Sequence, residues 1–530
     1  MSKKTLDDND LKQAQGADFD PTRHTAPFVP QREAKPTKRK PRSDKRGSAQ
    51  SKQLIELADK HGAQYFTTAD DGVPCVHVNT GSRWTTLRAT SRDFTTLLRG
   101  WYYDATEGSP TQQALADAQQ TIAARASFGA RDTRPVFLRT GKRDGAIYID
   151  LGTPDGRTVE VTAQGWHILP RSPVMFWRPR PMQALPEPTR GGALSDLFGF
   201  LNIPEEGRPL MLGWLVGALR PDGPYPLLGV HGEQGSGKST ACKMLRKLID
   251  PHAIDARSAP RDDRGLMIST RHTWLLALDN LSSLPNWLSD LLCGLATGAA
   301  SSARELYSDD GEVFFRAARP VLLNGIEEVT KRADLLDRAL LVNLHAIPAE
   351  QRRTESELWE RFDRACPALF GALLDALSCA LRRLPSVTLP RKPRMADFAT
   401  WATAAEPALG LSDGALLDAM FLHIAAMADL PLEASPIVAP LRELIAKQLA
   451  TLDGERPRWT GTASDLLSEL GRIAGDDGRR HPDWPRNGQA LSGQLKRLAP
   501  SLRQKGIHVE LGGRATDAKR TRTLSVWSQP

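Results

Sequence analysis

The stretch LLGVHGEQGSGKST, residues 227 to 240, constrains this chain more than any other. It runs from an apolar segment through a glycine-rich turn straight into the helical run ACKMLRKLI. Gly232, four further residues and then Gly237-Lys238-Ser239 make the P-loop spacing, with a strand before and a helix after as that motif needs. Such glycines let the backbone from Gly232 through Glu233, Gln234, Gly235 and Ser236 to Gly237 curl its N–H groups round an anion. The helix opened by Lys238, Ser239 and Thr240 adds its positive end. The pattern predicts an ATP site in which Lys238 reaches the β- and γ-phosphates and the Ser239 hydroxyl ligates Mg²⁺. Residues 193–346 alternate strand-like and helical runs, which predicts a parallel sheet covered by helices.

Two more apolar runs end on polar residues. TWLLALDNLSSL (273–284) stops at Asp279, which next to a P-loop reads as a Mg²⁺ ligand; in isolation it reads as a strand-end turn. RPVLLNGIEEV (319–329) stops at Asn324, placed to touch a γ-phosphate or an attacking water. KRADLLDRALLVNL (331–344) then carries Arg332 and Arg338. Arg338 reads equally as a finger on the next subunit's nucleotide or as a salt-bridge partner of Asp334 or Asp337. SARELYSDDGEVFFRAAR (302–319) has strand-like arms around a DDG turn.

In this order the motifs resemble the AAA+ ATPase modules of superfamily 3-type helicases, above all the primase–helicase ATPases of phages and integrated elements. The resemblance covers residues 193–346 strongly and the flanks weakly. It implies a homo-hexameric ring with ATP between subunits and single-stranded DNA in the pore, and it leaves open whether a separate primase is a partner. It also implies Lys238 and Ser239 as the Walker A pair, Asp279 as the Walker B acid, Asn324 as the sensor and Arg338 as the finger. Two positions depart from it. Asn280 stands where such enzymes commonly carry the acid that polarises water, and an amide is a poor base. Phosphoryl transfer rests mostly on positioning and charge, so a slow ATPase is the expectation, with Glu305 or Glu327 as alternative carboxylates. The hairpin tip is acidic at Asp309 and Asp310, which shifts the expected DNA contacts to Arg304, Arg316 and Arg319 on the arms.

The flanks set the rest. With 530 residues the chain exceeds one core. Its net charge of +8 is concentrated in residues 1–52 and 456–530, which points to a polyanionic partner. Residues 1–52 read as a disordered basic tail, 53–190 as an α+β domain leaving through a proline-rich linker (179–192), and 347–452 as a helical lid. The five cysteines and 11 histidines show no ligand spacing. No run approaches the ~20 apolar residues of a membrane span, and a cytoplasmic protein is expected. Residues 456–530 open with a Thr462–Asp465 capping box and form two amphipathic helices, the second carrying Lys496, Arg497, Arg503 and Lys505. Two strands follow, so the module resembles a winged helix-turn-helix that binds duplex DNA, with protein docking as the alternative.

The expected protein is therefore an α/β P-loop ATPase of AAA+-like fold, preceded by an α+β domain and followed by a helical lid and a winged helix. The expected function is a DNA motor, a replicative helicase of a mobile element. The alternatives are an ATP-dependent loader or regulator without strand separation, and a P-loop small-molecule kinase, for which no acceptor pocket is legible.

Overall fold

The computed structural model describes residues 42–129, 132–279, 281, 284–298, 300–304, 312–316, 318–325, 333–433, 435–451, 458–514 and 522–528. The first helix, α1 (Arg42–Lys60), begins ten residues inside the segment expected to be a disordered tail. Its Lys, Arg, Gln and Ala residues are compatible with a helix, and Leu54, Ile55 and Ala58 anchor it by burial. Strands β1 (Gln64–Thr68), β2 (Pro74–Asn79) and β3 (Trp84–Arg88) follow, then α2 (Arg92–Thr106), α3 (Gln112–Ala124) and β4 (Thr133–Arg134). Ser91 and Thr111 cap α2 and α3 by accepting from the Phe94 and Ala114 N–H groups. The sheet runs β3-β2-β1-β4, and its core holds Val76, Val78, Phe94, Leu98, Leu115 and Ile122.

Strands β5 (Val136–Phe137) and β10 (Met175–Phe176) pair in parallel around a meander. The meander is β6 (Thr140–Arg143), β7 (Ala146–Asp150), β8 (Thr158–Thr162) and β9 (Gly165–Leu169), antiparallel in that order. Asp144 (φ 52°) and Gly145 (φ 79°) make the tight turn between β6 and β7 that the RDG stretch predicts. Both faces of β7 are covered. Ile147 and Ile149 enter the main core of the molecule, while Ala146 and Tyr148 pack with Val174 and Phe176. Residues 53–190 thus hold two separate cores, and the second is continuous with the body that follows. The proline-rich 179–192 is a packed strap. The Thr189 N–H donates to the Pro367 carbonyl at 3.0 Å, and a Cβ at Gly371 would lie 1.8 Å from the Thr189 oxygen.

The body contains α4 (Arg208–Ala218), β11 (Leu227–Gly232), α5 (Lys238–Ile249), α6 (Asp263–Arg271), β12 (Leu276–Leu278) and α7 (Asn286–Thr297). The hairpin β13 (Ala300–Arg304) and β14 (Glu312–Arg316) follows, then β15 (Val321–Asn324), α8 (Ala333–Leu336) and β16 (Ala339–Leu344). Its sheet is parallel, in the order β12-β15-β11-β16. Strands buried on both faces need continuous apolar runs, which Leu227–Val230, Leu276–Leu278 and Val321–Leu323 supply.

Helices α9 (Glu355–Arg383), α10 (Ala396–Ala405), α11 (Ala415–Glu433) and α12 (Val438–Thr451) complete the body and lead out of it. Among the described residues α9 is the one helix long and apolar enough to cross a membrane, but its apolar side is packed inside the protein. It also takes part in hydrogen bonds with the meander: Trp166 Nε1 donates to Asp375 at 2.8 Å, and the Ser378 hydroxyl donates to the Thr162 carbonyl at 2.7 Å.

The C-terminal unit is β17 (Arg458–Gly461), α13 (Ala463–Arg479), α14 (Gly488–Gln504), β18 (Ile507–Arg514) and β19 (Arg522–Ser528). Its antiparallel sheet, β17-β19-β18, has three strands where the sequence predicts two. The extra strand is only four residues long and lacks an apolar repeat, so pairing with β19 makes it a strand. Leu491, Leu495, Leu498 and Leu502 of α14 are all buried. They share one core with Leu432, Val438, Leu441 and Ile445, so the unit begins well before residue 456.

Candidate nucleotide site

The loop between β11 and α5 depends on glycine at three places. Gly232 (φ 148°), Gly235 (φ 84°) and Gly237 (φ 80°) are all left-handed. A Cβ at Gly232 would also lie 2.4 Å from the Leu344 carbonyl oxygen on β16. Glu233, Gln234 and Gly235 face solvent on the crest, and Ser236 is buried beneath it. The loop feeds into the first turn of α5, where Lys238, Ser239 and Thr240 lie at the positive end of a twelve-residue helix. Lys238 Nζ lies back over the loop, donating to the Gly232 and Glu233 carbonyls at 2.7 Å each.

Strand order brings three polar side chains to one end of the sheet. Asp279 follows β12, Asn324 closes β15, and β15 lies between β12 and β11. Asn324 Nδ2 therefore donates both to the Asp279 carboxylate and to the Ser239 hydroxyl, the latter at 3.1 Å. The Ser239 hydroxyl is 3.4 Å from Asp279 Oδ1. Among the described residues the buried Ser236 Oγ and Asn324 Oδ1 have no hydrogen-bond partner, the first within the loop and the second beside Ser239 and Asp279. A serine hydroxyl beside a carboxylate is the hard-oxygen set that Mg²⁺ takes, and a glycine-built loop followed by a lysine at a helix N-terminus suits phosphates. The residues present fit Mg²⁺ and a nucleotide.

Two neighbours of the loop are invisible to motif reading. Ile347 Cδ1 would be 3.4 Å from a Cβ at Gly237, and Arg352 Nη2 3.8 Å from one at Gly235. Both come from the segment after β16, which the sequence assigns to the helical lid. The spacing of the P-loop carries no signal for them. Cys242, one turn into α5, is inert as an acid because burial, then Asp279, pushes its thiol pKa up.

Other expected site residues lie elsewhere. Arg338 immediately precedes β16, and its carbonyl accepts from the Leu227 N–H. The register runs from Leu227↔Ala339 to Gly232↔Leu344, so Arg338 is at the opposite end of the sheet from its own P-loop. That separation is roughly 17 Å of strand, beyond the reach of one side chain. Asp337 pairs with Arg394 at 3.0 Å. Arg304 and Arg316 lie at opposite ends of the hairpin, aligned with Glu312 and Ala300 respectively. Arg319, expected from the sequence as a phosphate contact, is half-buried, with its guanidinium over the Trp274 ring at 5.2 Å and donating to the Ala318 carbonyl at 3.0 Å. Lys496, Arg497 and Arg503 are exposed on α14, whereas Lys505 is tied to Asp429 of α11 at 2.7 Å. Asn280, Glu305, Asp309, Asp310, Glu327 and Arg332 lie outside the described residues.

Residues 194–430 match the family model of the actinomycete integrative conjugative element replication protein, and residues 440–529 match the C-terminal domain of the same protein. Along both segments the chain is similar to a replication protein of integrative conjugative elements. The replication-protein match takes in the P-loop, Asp279, Asn324 and Arg338, and its C-terminal part takes in α14. Among solved structures, the apo A form of the NrS-1 C-terminal region is 11% identical, covers 90% of this chain and 98% of its own, and has a TM-score of 0.39. SCCmec type IV Cch, described as an active helicase, is 12% identical, with 88% and 93% covered and a TM-score of 0.42. No curated protein matches the chain.

Proposed function

We propose that this chain is an ATP-driven DNA motor, a replicative helicase of a mobile element that hydrolyses ATP between the subunits of a ring. The observation that carries this reading is the convergence of Ser239, Asp279 and Asn324 beside a glycine-built phosphate loop. The match to a replication protein supports its use on DNA. In this reading the loop N–H groups and Lys238 bind the phosphates. Ser239 and Asp279 hold Mg²⁺, which neutralises charge developing on the phosphates. Asn324, fixed between Ser239 and Asp279, orients the attacking water. ATP-dependent strand separation of a labelled forked duplex tests the whole reading; ATP turnover without strand separation favours a loader or regulator.

The position of Arg338, away from its own loop, supports a role at a neighbouring subunit's nucleotide. Arg338→Ala protein should bind ATP and hydrolyse it ~10³-fold more slowly. Mixed with Lys238→Ala protein under exchange, it should regain activity, because each intact loop can meet an intact arginine. ATPase rates across mixing ratios measure this, and mixtures no faster than either parent would exclude a finger in trans.

The order α12, β17, α13, α14, β18, β19 supports the winged-helix reading, in which α14 is the helix offered to DNA. Lys496 and Arg497 are exposed on it and would neutralise phosphates. Lys496→Ala/Arg497→Ala should weaken duplex binding, and the slope of log K against log salt should flatten by roughly 1.8, about 0.9 for each phosphate no longer neutralised. Fluorescence anisotropy over a salt series reads both. An unchanged slope would assign the unit to protein docking.

A further inference from the structure

The N-terminal sheet and the meander meet across a polar seam rather than a shared core. At one end of that seam is a cavity of about 190 Å³ with Arg83, Trp84 and His77 on one wall and Arg171, Ser172 and Arg178 on the other. The charges around it do not cancel. Arg178 is consumed by Asp150, which its Nε reaches at 2.7 Å, and Asp155 is consumed by Arg157 at 2.9 Å. Arg83 and Arg171 remain, and among the described residues neither guanidinium is hydrogen-bonded or salt-bridged to a carboxylate.

Both guanidiniums are nevertheless positioned. The Arg83 stem lies on Gly156 (φ 84°), where a Cβ would come within 3.0 Å of it. The Arg171 guanidinium carbon sits 4.3 Å from the Trp84 ring centroid, and His77 stacks on the same ring at 5.0 Å. His77 is in turn fixed by the Thr86 hydroxyl, 3.0 Å from its Nδ1. Burial, then the neighbouring charge of Arg178, lowers the Arg83 pKa, and the Asp150 carboxylate offsets this only in part. Two oriented forks with no carboxylate bonded to them in a concave site are the arrangement that recognises a tetrahedral oxyanion.

We propose that this cavity is a phosphate-binding site, with Arg83 and Arg171 as its donors. The Trp84 ring is already engaged by His77 and Arg171, so the cavity selects phosphate charge over a stacked base. That chemistry has two sources, the backbone of single-stranded DNA and free phosphate. The site gives the N-terminal unit, which lies outside both family matches, a role of its own in substrate binding.

The test compares the full-length protein with Arg83→Gln/Arg171→Gln, without ATP, so its outcome does not depend on turnover or on the proposed motor. One arm measures a dT oligonucleotide by anisotropy over a salt series; the other measures inorganic phosphate by thermal shift. Neither guanidinium is salt-bridged, so the variant should stay folded and melt close to the wild-type temperature, lowered only by loss of the Arg171–Trp84 stacking. If DNA supplies the phosphate, the variant should bind the oligonucleotide about 10-fold more weakly, with a salt slope flatter by roughly 0.7, the value for a single phosphate left with its counterions. If free phosphate is the ligand, oligonucleotide affinity should hold while the phosphate-induced shift shrinks. Either result supports the site, and Arg83→Lys/Arg171→Lys should then restore part of the binding. Equal oligonucleotide affinity and equal phosphate shift in the Gln variant and wild type would overturn it.

Discussion

Lys238→Ala protein should keep its fold and lose Mg²⁺-dependent ATP hydrolysis by about 10²-fold or more, the scale seen when one preorganised donor to a transition state is removed. The folded loop is set by glycine conformations and the Leu344 contact, so removing two ammonium-to-carbonyl bonds should leave it in place. On the proposed reading, phosphates would draw the same ammonium off the Gly232 and Glu233 carbonyls. Phosphate release at saturating ATP, together with a thermal melt of the variant, reads both halves. Undiminished turnover in a folded variant would remove the P-loop from the mechanism.

The largest expected stability effect is at Arg139, far from any motif. Arg139 Nε meets Asp250 at 2.9 Å with both side chains fully buried. The guanidinium also donates to the Asp150 carbonyl at 3.0 Å and the Gln183 carbonyl at 2.9 Å. Asp250 ends α5, the helix of the phosphate loop, and accepts from the Trp274 N–H at 2.9 Å and the Leu275 N–H at 3.1 Å. Removing one partner of a buried pair strands the other charge, so Arg139→Ala should destabilise by about 3–5 kcal/mol. Urea unfolding measures this, and Asp250→Asn added to Arg139→Ala should recover part of the stability; a single variant as stable as wild type would show the pair to be dispensable.

The same pair has a pH signature. Burial by itself raises the Asp250 pKa, but Arg139, Arg246 and the Leu275 N–H together hold it below the ordinary carboxylate value. A carboxyl depressed in the folded state contributes stability above its unfolded pKa of about 3.9, and that contribution is lost as pH falls through the folded value. Acid unfolding of the wild type should therefore steepen below about pH 4, and Asp250→Asn should flatten it.

What the sequence revealed follows how local each feature is. The strand, glycines, lysine and first helical turn of the loop span fourteen consecutive residues, and each conforms to a short-range rule. Asp279 and Asn324 were legible as polar ends of apolar runs. Their contact was not, because it requires β15 to lie between β12 and β11, and periodicity carries no strand order. Ile347 and Arg352 escaped because they reach the loop from a segment with no motif of its own. Arg139 and Asp250, 111 positions apart, look like ordinary surface charges until the fold joins them. Arg319 shows the converse: a basic residue beside a hairpin reads as a nucleic-acid contact, and only the fold brings its guanidinium over the Trp274 ring.

The two-core arrangement of residues 53–190 also determines where a gene of this kind tolerates recombination. A crossover near codon 135 separates the N-terminal core from the meander, leaving each apolar set with its own partners. What it cuts is polar, such as Arg88 against Trp177 and Arg180 against Asp93. A crossover at codon 194, where the family match begins, would divide the apolar cluster that holds Ile149, Val159 and Trp166. It would also strand Asp250 without Arg139. Exchange of N-terminal units among related elements is therefore physically cheap at the first junction and costly at the second, whatever the DNA alignment there would permit.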